Sequence, residues 1–416
     1  MSKIAIVRLS SLGDVVISAS VLGGLGVLLG GLSTKKEHIK IDWFVDERFG
    51  GVLQDSPHIN TLHCLPFKKW LKSPLGIYKI WKYARSCEEY DTVIDMQGLL
   101  KSAFVGKCLK SKKFVGFSAK GCREGLASLF YTQKVDINYD ANILVRNFLV
   151  AFSSFGVDLQ RILQRIGRDD WYEGVEHLAN IDNMERLEKA VMNLRGFKRV
   201  IDLRGEGFGI NVAKLVDFSD TFLAYKKSLA LQMINKTNAE SSTNSSFSCP
   251  AEILEAKKFL FVIEASIEAK TYPIDKFRAL AQMLQKYYKN IAIYVIWNDY
   301  ERRADELVSL LKSRNIRAIK LPRLDFNNIK FILKNMDIVI GGDTGITHLA
   351  WAIWQPLSIL LLGNNAHSSG KNMRDARLQR VLLGNPFVLS QSDEFEIASI
   401  SPDVIFDCVK AHLDEE

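Results

Sequence analysis

The 416-residue chain has no Cys-x-x-Cys pair; its six cysteines, Cys64, Cys87, Cys108, Cys122, Cys249 and Cys408, lie far apart. In a chain of this length that spacing argues against a disulfide framework and against a zinc site, and free thiols suit a reducing cytoplasm. There is no sustained basic run and no internal repeat, although the net charge is +8. Such a charge favours something anionic: a phosphorylated substrate, a membrane surface or, the weakest of the three here, nucleic acid. A signal peptide is not expected, because the apolar run "IAIV" is cut by Arg8 after four residues. The turn that follows, "RLSSLGD", is not G-x-G-x-x-G, so a nicotinamide-dependent oxidoreductase has little to stand on.

What is present reads as a well-packed α/β protein. Hydrophobic residues make up 47% and charged residues 25%, and the length favours two domains over one core. Short apolar runs alternate with helical patterns, which predicts βαβ units and mostly parallel sheets. In the first half the strands fall at residues 4–9, 41–47, 61–67, 91–97 and 112–118; in the second, at 259–266, 291–297, 316–322, 337–343 and 357–363. Near-continuous apolar strands such as "LSILLLG" suit a sheet covered on both faces. The expected division is a Rossmann-like half over 1–157, an insertion or linker over 158–257, and a second Rossmann-like half over 258–416. The middle region holds a charged helical pattern, "NMERLEKAVMNLRGF", a strand-like "RVIDLRG", and a Ser/Asn/Thr-rich loop too polar to bury a core. One run, residues 15–32, carries no charge and five glycines. It is expected to be a buried helix and turn, with a membrane-facing hairpin or surface-inserted helix as the alternative.

Candidate site residues cluster where open α/β sheets place ligands, beyond the carboxyl ends of strands. In "RLSSLGD", Gly13 permits a tight path, and Ser10 and Ser11 offer hydroxyls. Asp14 stands near a helix start. There it can be a cap, or a carboxylate kept ionised by the dipole and able to take a proton from a hydroxyl. In "GGDTGITHLA", a strand, a glycine turn and a helix start present free N–H groups to an anion. Thr344 adds a hydroxyl, Gly345 allows close approach, Asp343 can accept bonds from sugar hydroxyls, and His348 faces the same mouth. Lys270 can neutralise a departing diphosphate or simply be solvated. Glu301 can hold a ribose or pair with a neighbouring arginine. Lys68, Lys69 and Arg123 can form a cationic patch for an anionic acceptor or serve only as solvated surface.

Together, "IAIVRLSSLGDVVIS", "IDWFVDERF", "YDTVIDMQGLLKSA", "REGLASLFY", "KTYP" and "DTGITHLA" make the chain resemble the bacterial lipopolysaccharide heptosyltransferases of glycosyltransferase family 9. "DMQGLLKSA" and "RLSSLGD" are more similar to type I members than to type II. The resemblance implies a GT-B fold, two Rossmann-like domains facing across a cleft. It implies an ADP-heptose donor on the C-terminal half and a Kdo-lipid A acceptor on the N-terminal half. It also implies peripheral contact with the cytoplasmic face of the inner membrane, and no metal or other cofactor. Residue by residue, Asp14 matches the catalytic base, Lys270 the phosphate-binding lysine, and Asp343, Thr344, Gly345 and His348 the donor turn. Glu301 falls close to a ribose-binding glutamate, and Ser266 stands at a donor-side hydroxyl position. Ala265 departs from the pattern where a second hydroxyl is expected. The run after Asp14 is more apolar than usual in the family, and the region before Cys249 is longer. The alternatives are a type II or later-acting heptosyltransferase, or a non-catalytic sugar-nucleotide binding protein on the same scaffold.

Overall fold

The computed structural model describes residues 3–19, 21–22, 25, 40–137, 139, 143–154, 256–353, 357–362, 387–390 and 396–413. Two six-stranded sheets organise them. The first contains β1 (Lys3–Val7), β2 (Lys40–Asp46), β3 (Thr61–Leu65), β4 (Tyr90–Asp95), β5 (Ser111–Phe117) and β6 (Gln133–Val135), in the order β3-β2-β1-β4-β5-β6. The second contains β7 (Lys257–Val262), β8 (Ile291–Ile296), β9 (Ala318–Lys320), β10 (Ile338–Gly342), β11 (Leu357–Leu362) and β12 (Phe387–Ser390), in the order β12-β11-β10-β7-β8-β9. Read from its other edge this is the same order, and every strand pairing is parallel. In both sheets the order reverses direction beside the first strand, which opens a crevice at the carboxyl ends there.

The ten expected strands are all present, but each runs on in the sequence past its observed carboxyl end, by one to four residues. The cause is physical. Leu9, Met96 and Ile263 are buried just beyond β1, β4 and β7, so apolar character continues into segments that have left the ladder. The strands β6 and β12 were not expected; β6 is only "QKV", too short and polar to register as a pattern. Apart from residues 256 and 257, the middle region lies outside the described residues, including its charged helical pattern and its polar loop.

The helix Leu12–Ala19 follows β1 and the helix Gly345–Ile353 follows β10. The first has eight residues, too few to hold itself in water. Val15, Val16 and Ile17 are buried along it, each worth about 1.5–3 kcal/mol. The uncharged run continues inward: Val21, Leu22 and Leu25 are also buried, which puts its described part in the core, while 26–32 lie outside the described residues. Among the described residues no helix is long and apolar enough to cross a membrane.

The two halves meet through these helices. Val15, Val16 and Ile17 share one apolar cluster with Leu260, Val262, Ile296, Val339 and Leu349 of the second half. The approach is close enough that a Cβ on Gly345 would lie 2.3 Å from Leu12 Cδ2. Glycine is required at 345 by that contact.

Candidate active site

Between the halves lies a cavity of about 1280 Å³. Its first wall comes from Ser11–Asp14 after β1 and Glu47–Phe49 after β2, with Arg123 beyond β5. Its second wall comes from four loops in succession: Glu264–Ile267 and Lys270 after β7, Trp297–Tyr300 after β8, Pro322–Phe326 after β9, and Asp343–Ile346 with His348 after β10. Both sheets thus offer their carboxyl ends to one space.

Asp14 occupies the first turn of its helix. Its Oδ2 accepts from Ser11 N at 3.2 Å and from Ser11 Oγ at 2.9 Å. Its Oδ1 lies 3.0 Å from Nη2 of Arg8, and the side chain remains 31% exposed. The carboxylate therefore does part of a cap's work by holding the Ser11 amide, yet still faces the cavity. Arg8 is buried and its Nη1 donates to the Met96 carbonyl. This fixed cation and the two Ser11 donors hold the carboxylate in place at the helix start.

Across the gap, Asp343 is fully engaged. Its Oδ2 pairs with Lys270 Nζ at 2.5 Å and its Oδ1 with His348 Nε2 at 2.8 Å. Desolvation pushes its pKa upward, but the bond to His348 and the charges of His348 and Lys270 outweigh that and hold it well below the usual carboxylate range. Asp343 thus aims two neighbours. Thr344 closes the helix start: its Oγ1 takes the Thr347 N–H at 3.4 Å and lies 3.2 Å from Thr347 Oγ1. His348 is nearly buried, 7% exposed, and a Cβ on Gly13 would stand 2.8 Å from its Cδ2. The Asp14 turn and the 343–348 turn are therefore in van der Waals register across the junction.

Other expected residues are distributed differently. Ser266 is exposed and lines the cavity, and beside it the Ala265 N–H donates to Thr271 Oγ1 at 3.2 Å. Ser10 does not line the cavity; its Oγ accepts from Lys101 Nζ at 2.7 Å and from Gln97 Nε2 at 3.2 Å. Arg123 lines the cavity, whereas Lys68 and Lys69 sit on the separate helix Phe67–Leu71 outside it. Lys68 and Lys69 therefore stand off the cavity wall that Arg123 joins. Glu301 opens the helix Glu301–Lys312 beside the lining residue Tyr300, does not itself line the cavity, and pairs with Lys320 Nζ at 2.9 Å. The carboxylate that shapes this corner is Glu264. It collects the N–H groups of Asn298, Asp299 and Tyr300 at 3.2, 2.9 and 2.8 Å, pinning the loop after β8 against the cavity.

Arg8 and Glu264 are not among the residues expected at the site, and Lys101, expected only as one of the basic residues of the first half, instead holds the Ser10 hydroxyl. Arg8 carried a signal, a cation at the end of an apolar strand, but counted only as an interruption. Lys101 lay within "DMQGLLKSA", whose acid, Asp95, turns out to be an organiser. Wholly buried, Asp95 accepts from the N–H groups of Gln97 and Gly98 and from the hydroxyls of Ser102 and Tyr131. Gly98 sits at φ +68 with Cys122 Cα only 3.3 Å from where a Cβ would be, so that turn needs glycine. Burial keeps the Asp95 carboxyl above its ordinary range despite those donors.

Two Rossmann-like sheets opening onto one cleft, each offering a strand–turn–helix to it, make the GT-B arrangement. The family model for glycosyltransferase family 9 (heptosyltransferase) matches residues 77–180 and 215–371. The chain belongs to that family. It is 28% identical over 423 residues to lipopolysaccharide heptosyltransferase 1 of Campylobacter coli, an alignment covering all of both chains. With the same-named protein of Escherichia coli strain K12 it shares 34% identity over 139 residues, 32% of this chain and 41% of that one. In three dimensions it is similar to E. coli heptosyltransferase WaaC with ADP-2-deoxy-2-fluoro heptose, at 18% identity and a TM-score of 0.61, covering 98% of this chain and 99% of that one. It is also similar to E. coli ADP-heptose lps heptosyltransferase II, at 13% identity and a TM-score of 0.57, covering 99% of both. The fold is common to both heptosyltransferase types and does not separate them.

Proposed function

We propose that the protein transfers heptose from ADP-heptose to a Kdo residue of Kdo-lipid A in lipopolysaccharide core assembly, with inversion at the anomeric carbon. The observation that carries this reading is the single cavity shared by Asp14 and the turn 343–348. The similarity along the whole chain to a protein named lipopolysaccharide heptosyltransferase 1 supports the choice of donor and acceptor. The acceptor hydroxyl attacks the anomeric carbon as its bond to the diphosphate oxygen breaks. The hydroxyl proton passes to Asp14, and ADP leaves with the electron pair of the broken bond. Ser11 and Arg8 hold the carboxylate in position without moving it out of the cavity.

The leaving diphosphate gathers negative charge on the other wall. An ammonium has three donors; Lys270 gives one to Asp343 and directs the others toward the diphosphate. The N-terminus of the helix Gly345–Ile353 adds N–H groups and the positive end of its dipole. This charge serves in place of a divalent metal, so transfer persists in the presence of a chelator. The rim cation Arg123 and the exposed Lys68 and Lys69 attract the phosphorylated acceptor. The work takes place at the cytoplasmic face of the inner membrane, with the protein bound peripherally.

Kdo-lipid A and heptosyl-Kdo-lipid A, supplied side by side with ADP-heptose, test the reading. Release of ADP with the first and little with the second is expected. Preference for the second identifies a type II or later enzyme, and ADP binding with no release on either identifies a non-catalytic binder.

A further inference from the structure

Eleven large apolar side chains stand exposed among the described residues, and eight of them belong to one region of the first half. Leu71, Leu75, Ile77, Tyr78 and Trp81 are 57, 60, 67, 52 and 43% exposed, on or beside the helices Phe67–Leu71 and Gly76–Ser86. Leu100, Leu126 and Leu129 are 39, 65 and 74% exposed, at the start of the helix Leu100–Cys108 and in the 3-10 turn Gly125–Phe130. These four elements pack against one another in sequence. They follow β3, β4 and β5, so they rise from the same carboxyl-end rim that forms the cavity wall, and Arg123 at the cavity sits next to the last of them. Isolated exposed apolar residues are ordinary; a continuous group of this size marks a surface that meets something.

The charge of the region identifies the partner. Residues 67–87 carry six basic residues, Lys68, Lys69, Lys72, Lys79, Lys82 and Arg85, and no acidic one. All six are exposed. On the helix Gly76–Ser86, Ile80 and Ala84 face the core while Ile77 and Trp81, one turn apart, face outward. Tyr78 stacks near Trp81, with ring centroids 5.8 Å apart. Outward aromatics and leucines interleaved with lysines match an anionic bilayer, the apolar tips entering the headgroup boundary and the lysines meeting lipid phosphates, while Glu124, the exposed acid beside Leu126, accepts from the Leu100 N–H at 2.7 Å.

We propose that this rim of the first half docks on an anionic lipid surface and so presents the mouth of the cavity to a lipid-borne acceptor. The proposal rests on the transfer reading for its purpose but not for its test. Sedimentation of the full chain with vesicles is compared for phosphatidylcholine alone and for phosphatidylcholine mixed with phosphatidylglycerol. Binding to the mixed vesicles, weakened by salt and much lower on the neutral ones, is expected. Ile77→Ser with Trp81→Ser lowers the partition at least about tenfold, and Lys79→Gln with Lys82→Gln lowers it by about thirtyfold at low salt. All four positions are exposed, so melting temperatures stay unchanged. Wild-type partition retained by both variants, or equal binding to neutral and mixed vesicles, overturns the proposal. So does a wild-type dimer that Trp81→Ser dissociates while vesicles capture nothing, which makes a second copy the occupant. Transfer to a Kdo acceptor stripped of its lipid chains separates the two readings. Equal rates for wild type and Ile77→Ser/Trp81→Ser are expected there, and a wild type inactive on it counts against the transfer reading alone.

Discussion

The two halves present the same local device to the cavity, a parallel strand, a tight turn and a helix start with an aspartate beside it, yet the two aspartates live differently. Asp14 lies inside the first turn of its helix, faces the cavity and is held by Ser11 and Arg8. Asp343 lies just before its helix, with both oxygens engaged by Lys270 and His348. Asp343 is committed to a lysine and a histidine of its own wall, which makes it a positioning group for that pair. Asp14 is engaged on both oxygens too, by Arg8 and by Ser11, and faces the cavity from the opposite wall, where the proposed transfer brings a bound hydroxyl to it as proton donor. Aspartates that follow β1 in one sheet and β10 in the other, two non-equivalent central strands, thus take complementary tasks, and the difference is set by neighbours rather than by the acid.

Substitutions can break this division. Asp14→Asn keeps shape and hydrogen bonding but removes the proton acceptor; turnover should fall by about 10²–10⁴, with ADP affinity by calorimetry unchanged. Unchanged turnover rejects the base. Lys270→Ala should cost on the order of 10²–10³ in rate and, unlike the first, weaken ADP binding; equal ADP affinity would show that this wall does not hold the diphosphate.

The next two effects are on stability, at the junction that brings the two walls together. Lys330 is fully buried, its Nζ 3.4 Å from the Gln54 carbonyl of the other half, and burial pulls its pKa down to about 8 against the partial opposition of Asp55 and Asp325. The unfolded chain therefore holds the proton more tightly. Folding pays a penalty below about pH 8 that is relieved as pH rises toward the ordinary lysine value, about 3 kcal/mol in all. Denaturant titrations should find the stability difference between wild type and Lys330→Met shifting in favour of wild type from pH 8 to 10; two parallel curves would contradict it. Gly345→Ala should cost about 1–3 kcal/mol by driving a methyl into Leu12. Adding Leu12→Ala should restore part of the loss, and additive losses would mean the two helices do not touch there.

The fold was largely legible because parallel strands buried on both faces announce themselves as apolar runs, and ten of them at regular spacing admit few arrangements. The placement of Asp14, Lys270 and the turn 343–348 on one cavity was legible for the same reason, since all of them follow strands. Glu301 was not, because it is separated from the lining residue Tyr300 by one step, and a helix start turns successive side chains to different sides. It points to Lys320 while Glu264, quoted only as the end of a strand, anchors the loop. The separation of Lys68 and Lys69 from Arg123 was equally hidden. Charge along a sequence says nothing of which loops a sheet brings together. The exposed apolar rim could not be read either, since Ile77 and Trp81 look like core until Ile80 and Ala84 are seen to take that place.

A crystal structure of the chain with ADP bound is the most direct test of the shared cavity. The diphosphate is expected against Lys270 Nζ and the N–H groups at Thr344 and Gly345, with the Asp14 carboxylate facing it across the gap. A nucleotide seated elsewhere, or an Asp14 turned away from the one at 343–348, would contradict the division of labour between the two walls.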